Sequence, residues 1–259
     1  MSDDRKDEVQ TLYDRSNKIS NYADKLFLFN VAISFILIFD FKYRNIFVII
    51  SLLLTIVYVI LVNINDMYFS NNAETERRKS LLKESFDVNT TLKDTNKYYN
   101  NNSQPSIEKL GLNCYESAYF TKKVVDKMLP INIIKISILI LMYIILMIKL
   151  ENMDLLLIIT QTLFSAEIIF SFTKLCYYKF QLDKVCKEFQ NIFLIMGLNN
   201  KDVNVMILDT TIDYECLKSY CKISTSSKIF FENNEKWSKE WEKILSKIQI
   251  KKEKDNIMN

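Results

Sequence analysis

The chain contains no histidine, and only two glycines and two prolines among its 259 residues. Without histidine it lacks the commonest general base and the commonest metal ligand. So few turn-forming residues argue against a sheet-rich fold and favour long helices. The five cysteines (Cys114, Cys176, Cys186, Cys216 and Cys221) are odd in number and include no CxxC pair. Neither a disulfide framework nor a zinc site is therefore expected, and the thiols read as those of a reducing compartment. A net charge of +3 is too small to mark a nucleic-acid polymer as the partner. There is no glycine-rich phosphate loop, nucleophile elbow or dinucleotide fingerprint. Carboxylates are plentiful, yet none is spaced to single out a catalytic pair. No enzymatic activity, cofactor or metal is expected. The first 20 residues are polar, so no cleavable signal peptide is expected.

What the sequence has in abundance is apolar residues gathered into blocks. The composition is 49% hydrophobic, yet mean hydropathy is near zero, because charges are concentrated between the blocks. A soluble domain would interleave the two classes at helical or strand spacing. The blocks are Leu26–Phe39, Ile46–Val62, Leu129–Ile148 and Met153–Phe172. A membrane-spanning helix needs about 20 residues. The last three blocks meet this directly, and the first does so if Tyr22–Lys25 and Phe41 are included, with Lys25 snorkelling to the interface. The connections Asp40–Asn45 and Lys149–Asn152 leave room only for helical hairpins. The expected fold is all-α, with four transmembrane helices in two hairpins. Its segments are a cytoplasmic N-terminal helix (1–25), hairpin one (26–62), a cytoplasmic helix–loop–helix (63–128), hairpin two (129–173) and a cytoplasmic helical C-terminal region (174–259).

Orientation follows from Lys and Arg in the flanks. The N-terminal, middle and post-hairpin segments are rich in them, whereas the hairpin tips hold only Lys42, Arg44 and Lys149. The tips are thus expected outside, and both termini in the cytoplasm of a cell with this chain in its inner membrane.

Polar residues within the apolar blocks need partners. Folded about a tip between Lys42 and Tyr43, Asn30 sits level with Thr55, and Ser34 level with Ser51. Such a ladder either holds the hairpin together or lines a water path in an oligomer. Folded about Glu151, Lys135 and Glu167 fall at one depth, each about 24 Å of helix from the tip. A buried ion pair is the economical reading, since each charge alone would be costly. In the cytoplasmic parts, a polar helix is expected over Asp66–Phe86 and a loop over Asp87–Ser103. A new helix starts near Pro105, with Ser103 before it. Helices also end at Gly197, run from about Thr211 to Ile223 after an apolar stretch at Val203–Leu208, and close the chain. The last one puts Trp237, Trp241, Ile244, Leu245 and Ile248 on one face, to dock on a core or lie on anionic lipid.

This layout, with the basic stalk Arg77-Arg78-Lys79 and the segment Leu110-Gly111-Leu112-Asn113-Cys114-Tyr115-Glu116-Ser117, resembles the SMODS-associated four-transmembrane effectors. The resemblance implies a pore-forming effector of CBASS-type anti-phage defence. Such an effector oligomerises with itself on a cytoplasmic cyclic-oligonucleotide signal and permeabilises the inner membrane. A constitutive small transporter or channel, and a membrane scaffold for a soluble partner, are the alternatives. A cyclic nucleotide offers phosphates and flat bases, so its site needs cations and aromatic faces. Arg77, Arg78 and Lys79 at the stalk, Tyr98 and Tyr99 in the loop, and Lys122 and Lys123 on the returning helix supply both.

The topology is open to a cysteine-accessibility scan in a cysteine-free background. Cysteines near Tyr43 and Asn152 are expected to label from outside the cell. Labelling of a cysteine at Ser103 from that side would overturn the orientation.

Overall fold

The computed structural model describes residues 8–37, 39, 41–92, 99, 101, 103–149, 167–196 and 201–257. Regular structure in the described residues is helical throughout. Helix α1 is Gln10–Ile36 and α2 is Arg44–Ile64. A π-helical segment, Asn65–Ser70, joins α2 to α3, Asn71–Phe86. Helix α4 is Ile107–Lys149, α5 is Glu167–Asn191, α6 is Lys201–Cys221 and α7 is Ser227–Ile257. A second π-helical segment, Ile192–Met196, extends α5. The chain divides into two units: Gln10–Ala73 with Pro130–Thr173, and Met1–Val9 with Glu74–Leu129 and Lys174–Asn259.

The first unit is apolar. Helices α1 and α2 form a hairpin whose small core holds Ile33 and Leu37, with Phe41, Phe47, Val48 and Leu54 against them. Phe27 and Tyr58 meet farther from the tip, with ring centroids 5.6 Å apart. Yet Ile46, Ile49, Leu52, Leu53, Ile56 and Ile60 of α2 are all exposed, as are Ile131, Ile134, Ile138, Leu141 and Ile145 of α4. Among the described residues one helical run, Arg44–Phe86, contains an apolar window long enough to cross a membrane, and 6% of that window is buried. The block at 153–172 lies largely outside the described residues.

The second unit buries its apolar side chains in the ordinary way. Its core draws Tyr115, Ala118 and Val125 from α4, Tyr178, Leu182 and Phe189 from α5, Ile207 and Tyr214 from α6, and Trp241 and Ile248 from α7. Tyr115 stands at the centre. Its ring stacks near Phe189 at 5.5 Å and meets the edge of Trp241 at 5.0 Å. Trp237 and Trp241 are 3% and 0% exposed, so the tryptophan face of α7 docks on protein.

Several boundaries differ from those read in the sequence. The capping residue of α4 is Ser106, whose Oγ accepts the Lys109 N–H at 3.1 Å, and not Ser103. Ser103 instead gives its own N–H to Asn101 Oδ1. The stretch Val203–Leu208 belongs to α6, because Val203 and Ile207 continue the buried stripe that runs on to Tyr214. Pro130 lies inside α4. It removes one backbone donor from the helix ladder without ending the helix. With so few glycines, Asp87 and Lys222 take the left-handed conformation after their helices, at φ of 57° and 48°. Their N–H groups reach back to the carbonyls of Lys83 and Lys218.

At Gly111, α4 is packed closely against Ile207 of α6. A β-carbon there would lie 2.5 Å from Ile207 Cγ2 and 3.0 Å from Phe193 Cζ. Ile207 and Phe193 are themselves almost wholly buried and have no room to retreat. Gly111→Ala is therefore expected to destabilise the protein by about 1–3 kcal/mol, the usual range for overpacking. Thermal denaturation of the purified protein in detergent measures it, and an unchanged midpoint would refute the close contact.

Candidate functional site

The helical unit contains a buried cluster of four charges. On α3, Glu74 and Arg77 are three residues apart and share a face; on α6, so do Glu215 and Lys218. Arg77 is 4% exposed. Its Nε donates to Glu74 Oε2 at 2.8 Å, and its Nη2 donates to Glu215 Oε2. Lys218 Nζ lies 3.2 Å from Glu74 Oε1. Each helix thus offers an acid and a base at the same spacing, and each base reaches the other helix's acid. Two cations and two carboxylates balance, which is what lets charges persist away from water.

The surroundings are apolar or uncharged. Cys114, Tyr178 and Tyr214 pack beside the cluster, each at most 1% exposed. The Tyr214 hydroxyl is within hydrogen-bonding distance of Ser117 at 3.2 Å and Thr121 at 3.1 Å. Burial pushes the Cys114 thiol up, and the Glu215 charge adds to this, so it stays protonated and unreactive. Burial and the Arg77 charge push Lys218 down, opposed by Glu74 and Glu215.

A second, more open set of charges involves α4, α5 and α7. Lys122 meets Asp183 at 2.8 Å, and Lys179 meets Asp126 at 3.1 Å as well as Asp183. Burial acts against the Asp183 carboxylate, but Lys122 and Lys179 outweigh it and hold its titration below the usual range. Lys123 meets Glu240 at 2.6 Å, and the Tyr119 hydroxyl donates to the same oxygen at 2.8 Å. These two partners hold Glu240 low in turn.

The residues singled out for an anionic messenger are therefore engaged by different neighbours. Arg77 faces Glu74 and Glu215. Arg78 donates to Thr75 at 3.3 Å, and Lys79 to Glu76 at 2.8 Å. Lys122 and Lys123 face Asp183 and Glu240. Tyr99 is 8% exposed and packs with Leu81 and Leu110. Tyr98 lies outside the described residues. Sequence reasoning missed Glu74, Glu215 and Lys218. The signal available was the matched acid-to-base spacing of three on two separate helices.

In the apolar unit the polar residues converge on Asn30. Its Nδ2 donates to Thr55 Oγ1 at 2.8 Å, and its Oδ1 accepts from Ser51 Oγ at 2.8 Å. Counting from the tip puts Ser34 level with Ser51, and Ser34 Oγ donates to the Asn30 carbonyl at 3.0 Å. A carboxamide offers both a donor and an acceptor, and two hydroxyls one turn apart on α2 use them both. Asn30, Ser34 and Ser51 are each at most 6% exposed, so this is a closed seam within the hairpin. Farther along, Ser16 Oγ donates to Asn65 Oδ1 at 3.0 Å. The ion pair expected between Lys135 and Glu167 involves a side chain outside the described set, that of Glu167. Lys135 is exposed and acts electrostatically on Asp24 of α1.

No protein-family model, characterised protein or solved structure matches this chain.

Arg77→Met would leave Glu74 and Glu215 facing each other around Lys218 alone. A loss of about 3 kcal/mol or more in stability is expected, as for removal of one partner from a buried ion pair. Arg77→Met with Glu215→Met restores part of it, because no charge is then stranded. Denaturant unfolding of the two variants decides the matter; additive losses would refute the coupling.

Proposed function

We propose that the chain is a four-span inner-membrane protein that acts as a membrane-permeabilising effector. The observation that carries membrane residence is the exposure of α2. An apolar window of spanning length is 6% buried, and its Ile and Leu side chains project away from the protein. In water each such side chain forgoes about 1.5–3 kcal/mol of burial. In a bilayer the lipid chains supply the apolar surroundings instead. The other three blocks share this composition, and the scarcity of cations at the hairpin tips supports a cytoplasmic helical unit.

Support for permeabilisation comes from the seam. The Asn30, Ser51 and Thr55 hydrogen bonds close one hairpin on itself. The same groups can pair between hairpins of neighbouring copies, one bond made for each bond lost, and such exchanges cost little in lipid. Membrane insertion as a closed hairpin and assembly as an open one are then two states of one set of side chains. The trigger in this reading is an anionic nucleotide. Lys122 and Lys123, with side chains 29% and 32% exposed, are more accessible to it than Arg77 at 5%. Asp183 and Glu240 would be the groups it displaces.

Titrated expression in a bacterial host tests the effector reading, since high copy number drives assembly by mass action without the trigger. Collapse of the membrane potential, followed with a voltage-sensitive dye, is expected above a threshold of wild-type protein. Asn30→Leu should accumulate in the membrane fraction yet depolarise far less. Wild-type protein that fills the membrane fraction without depolarising the cell would overturn the effector and leave a membrane scaffold.

A further inference from the structure

Helix α6 is packed on one side only. Val203, Ile207, Tyr214, Leu217 and Cys221 enter the core. The opposite side carries Val205, Leu208, Ile212, Cys216 and Tyr220 at spacings of three and four, a continuous stripe of about 22 Å at 1.5 Å per residue. Val205, Ile212 and Tyr220 are 58–70% exposed. Asp209 and Asp213 lie along the same stripe and are also exposed. Carboxylates in that place rule out lipid tails as the cover, and they are repelled by anionic headgroups. The stripe calls for a protein surface that is basic and can still cover apolar area.

The same chain has one. With Trp237, Trp241 and Ile248 of α7 turned inward, its outer side carries Lys236, Lys239, Lys243 and Lys247, with Ile250 at the end and Glu235 and Glu242 along one edge, where Glu235 pairs with Lys239 at 2.7 Å. This stripe covers about 21 Å, nearly the length of the other. Lysine stems are apolar and their ammonium groups can reach around to carboxylates, so a lysine row can cover a stripe of this kind. Both faces point away from the core of their own unit, so neither can cover the other within one chain.

We propose that the outer face of α6 docks on the lysine face of α7 in a second copy of this chain. The contact is heterologous: each copy offers one face of each kind. It therefore propagates into a ring or an open chain of copies and does not stop at a dimer. Pairing of α6 with α6 would instead bring Asp209 and Asp213 of the two copies together, which the charges oppose. The proposal rests on the effector reading for the use of such assembly, but the contact itself belongs to the helical unit.

The exposed Cys216 provides the probe, since Cys114, Cys186 and Cys221 are buried. The full-length protein is purified in mild detergent with Cys176→Ala, and Lys243→Cys is introduced. A short bis-maleimide is expected to give a ladder of dimers, trimers and higher species. Restoring Lys243, or adding Cys216→Ser, should remove it. Asp209→Lys with Asp213→Lys should cut the ladder roughly tenfold through like-charge contact. Adding Lys236→Glu and Lys247→Glu to those two should bring it back, which a folding defect would not allow. Dimers formed by Cys216 alone, or no ladder in any variant, would overturn the proposal. Membrane fractionation of the same cells scores the other reading separately: a ladder from protein found in the soluble fraction overturns membrane residence and leaves this contact standing.

Discussion

Arg77 is a permanently charged group held where water does not reach. A lone guanidinium in that position would cost several kcal/mol, and the fold avoids this only by bringing Glu74 and Glu215 to it together. That requirement fixes much else in the helical unit. Helix α3 must present the turn Glu74–Arg77 to the turn Glu215–Lys218 of α6, and α4 must pack small or uncharged groups, Cys114 and Ser117 among them, beside both. Gly111 then lets α6 approach α4 closely enough for Ile207 to enter the core. An apolar pair in place of the charges could be as stable. The charged version is the more selective, since another register of α3 on α6 would strand an ion.

The two units meet the hydrophobic effect in opposite ways. In the helical unit, apolar side chains lie against other side chains, as around Tyr115. In the apolar unit many of them lie outward, while the polar side chains of Asn30, Ser34 and Ser51 are buried beside a small core around Ile33 and Leu37. That inversion is what a hydrocarbon solvent would demand, and it supports the proposed membrane residence. It explains why the hairpin needs so small an apolar core of its own.

The all-helical class was legible from the shortage of glycine and proline and from the segregation of apolar residues. The partnership of Asn30 with Thr55 was legible because a tight hairpin fixes depth by counting from its tip. Counting did not show that Ser51 also bonds Asn30, since that depends on which helix face each side chain occupies. The role of Arg77 was not legible from its own neighbourhood. A run of Glu, Arg and Lys reads as a solvated face, and the residue that withdraws Arg77 from solvent lies 138 positions away. The basic residues near the apolar blocks looked like receptors for an anion because their sequence-local surroundings lack the acids of α5, α6 and α7. Helix α6 was misread over Val203–Leu208 because apolar residues occur on both of its sides, which blurs the period of the buried one.

The two large pieces of the helical unit, Glu74–Leu129 and Lys174–Asn259, are separated in sequence by the apolar segment Pro130–Thr173. Translation at about 5–20 residues per second puts roughly 7–28 s between the synthesis of Arg77 and that of Glu215. For much of that interval α3, and then α4 once it is made, exist without α6 and α7. Arg77 is hydrated, and the inner faces of Tyr115 and Val125 are uncovered. The nascent chain therefore carries a half-built helical core until these helices are made, and its burden on chaperones is set by how late the last 86 residues arrive.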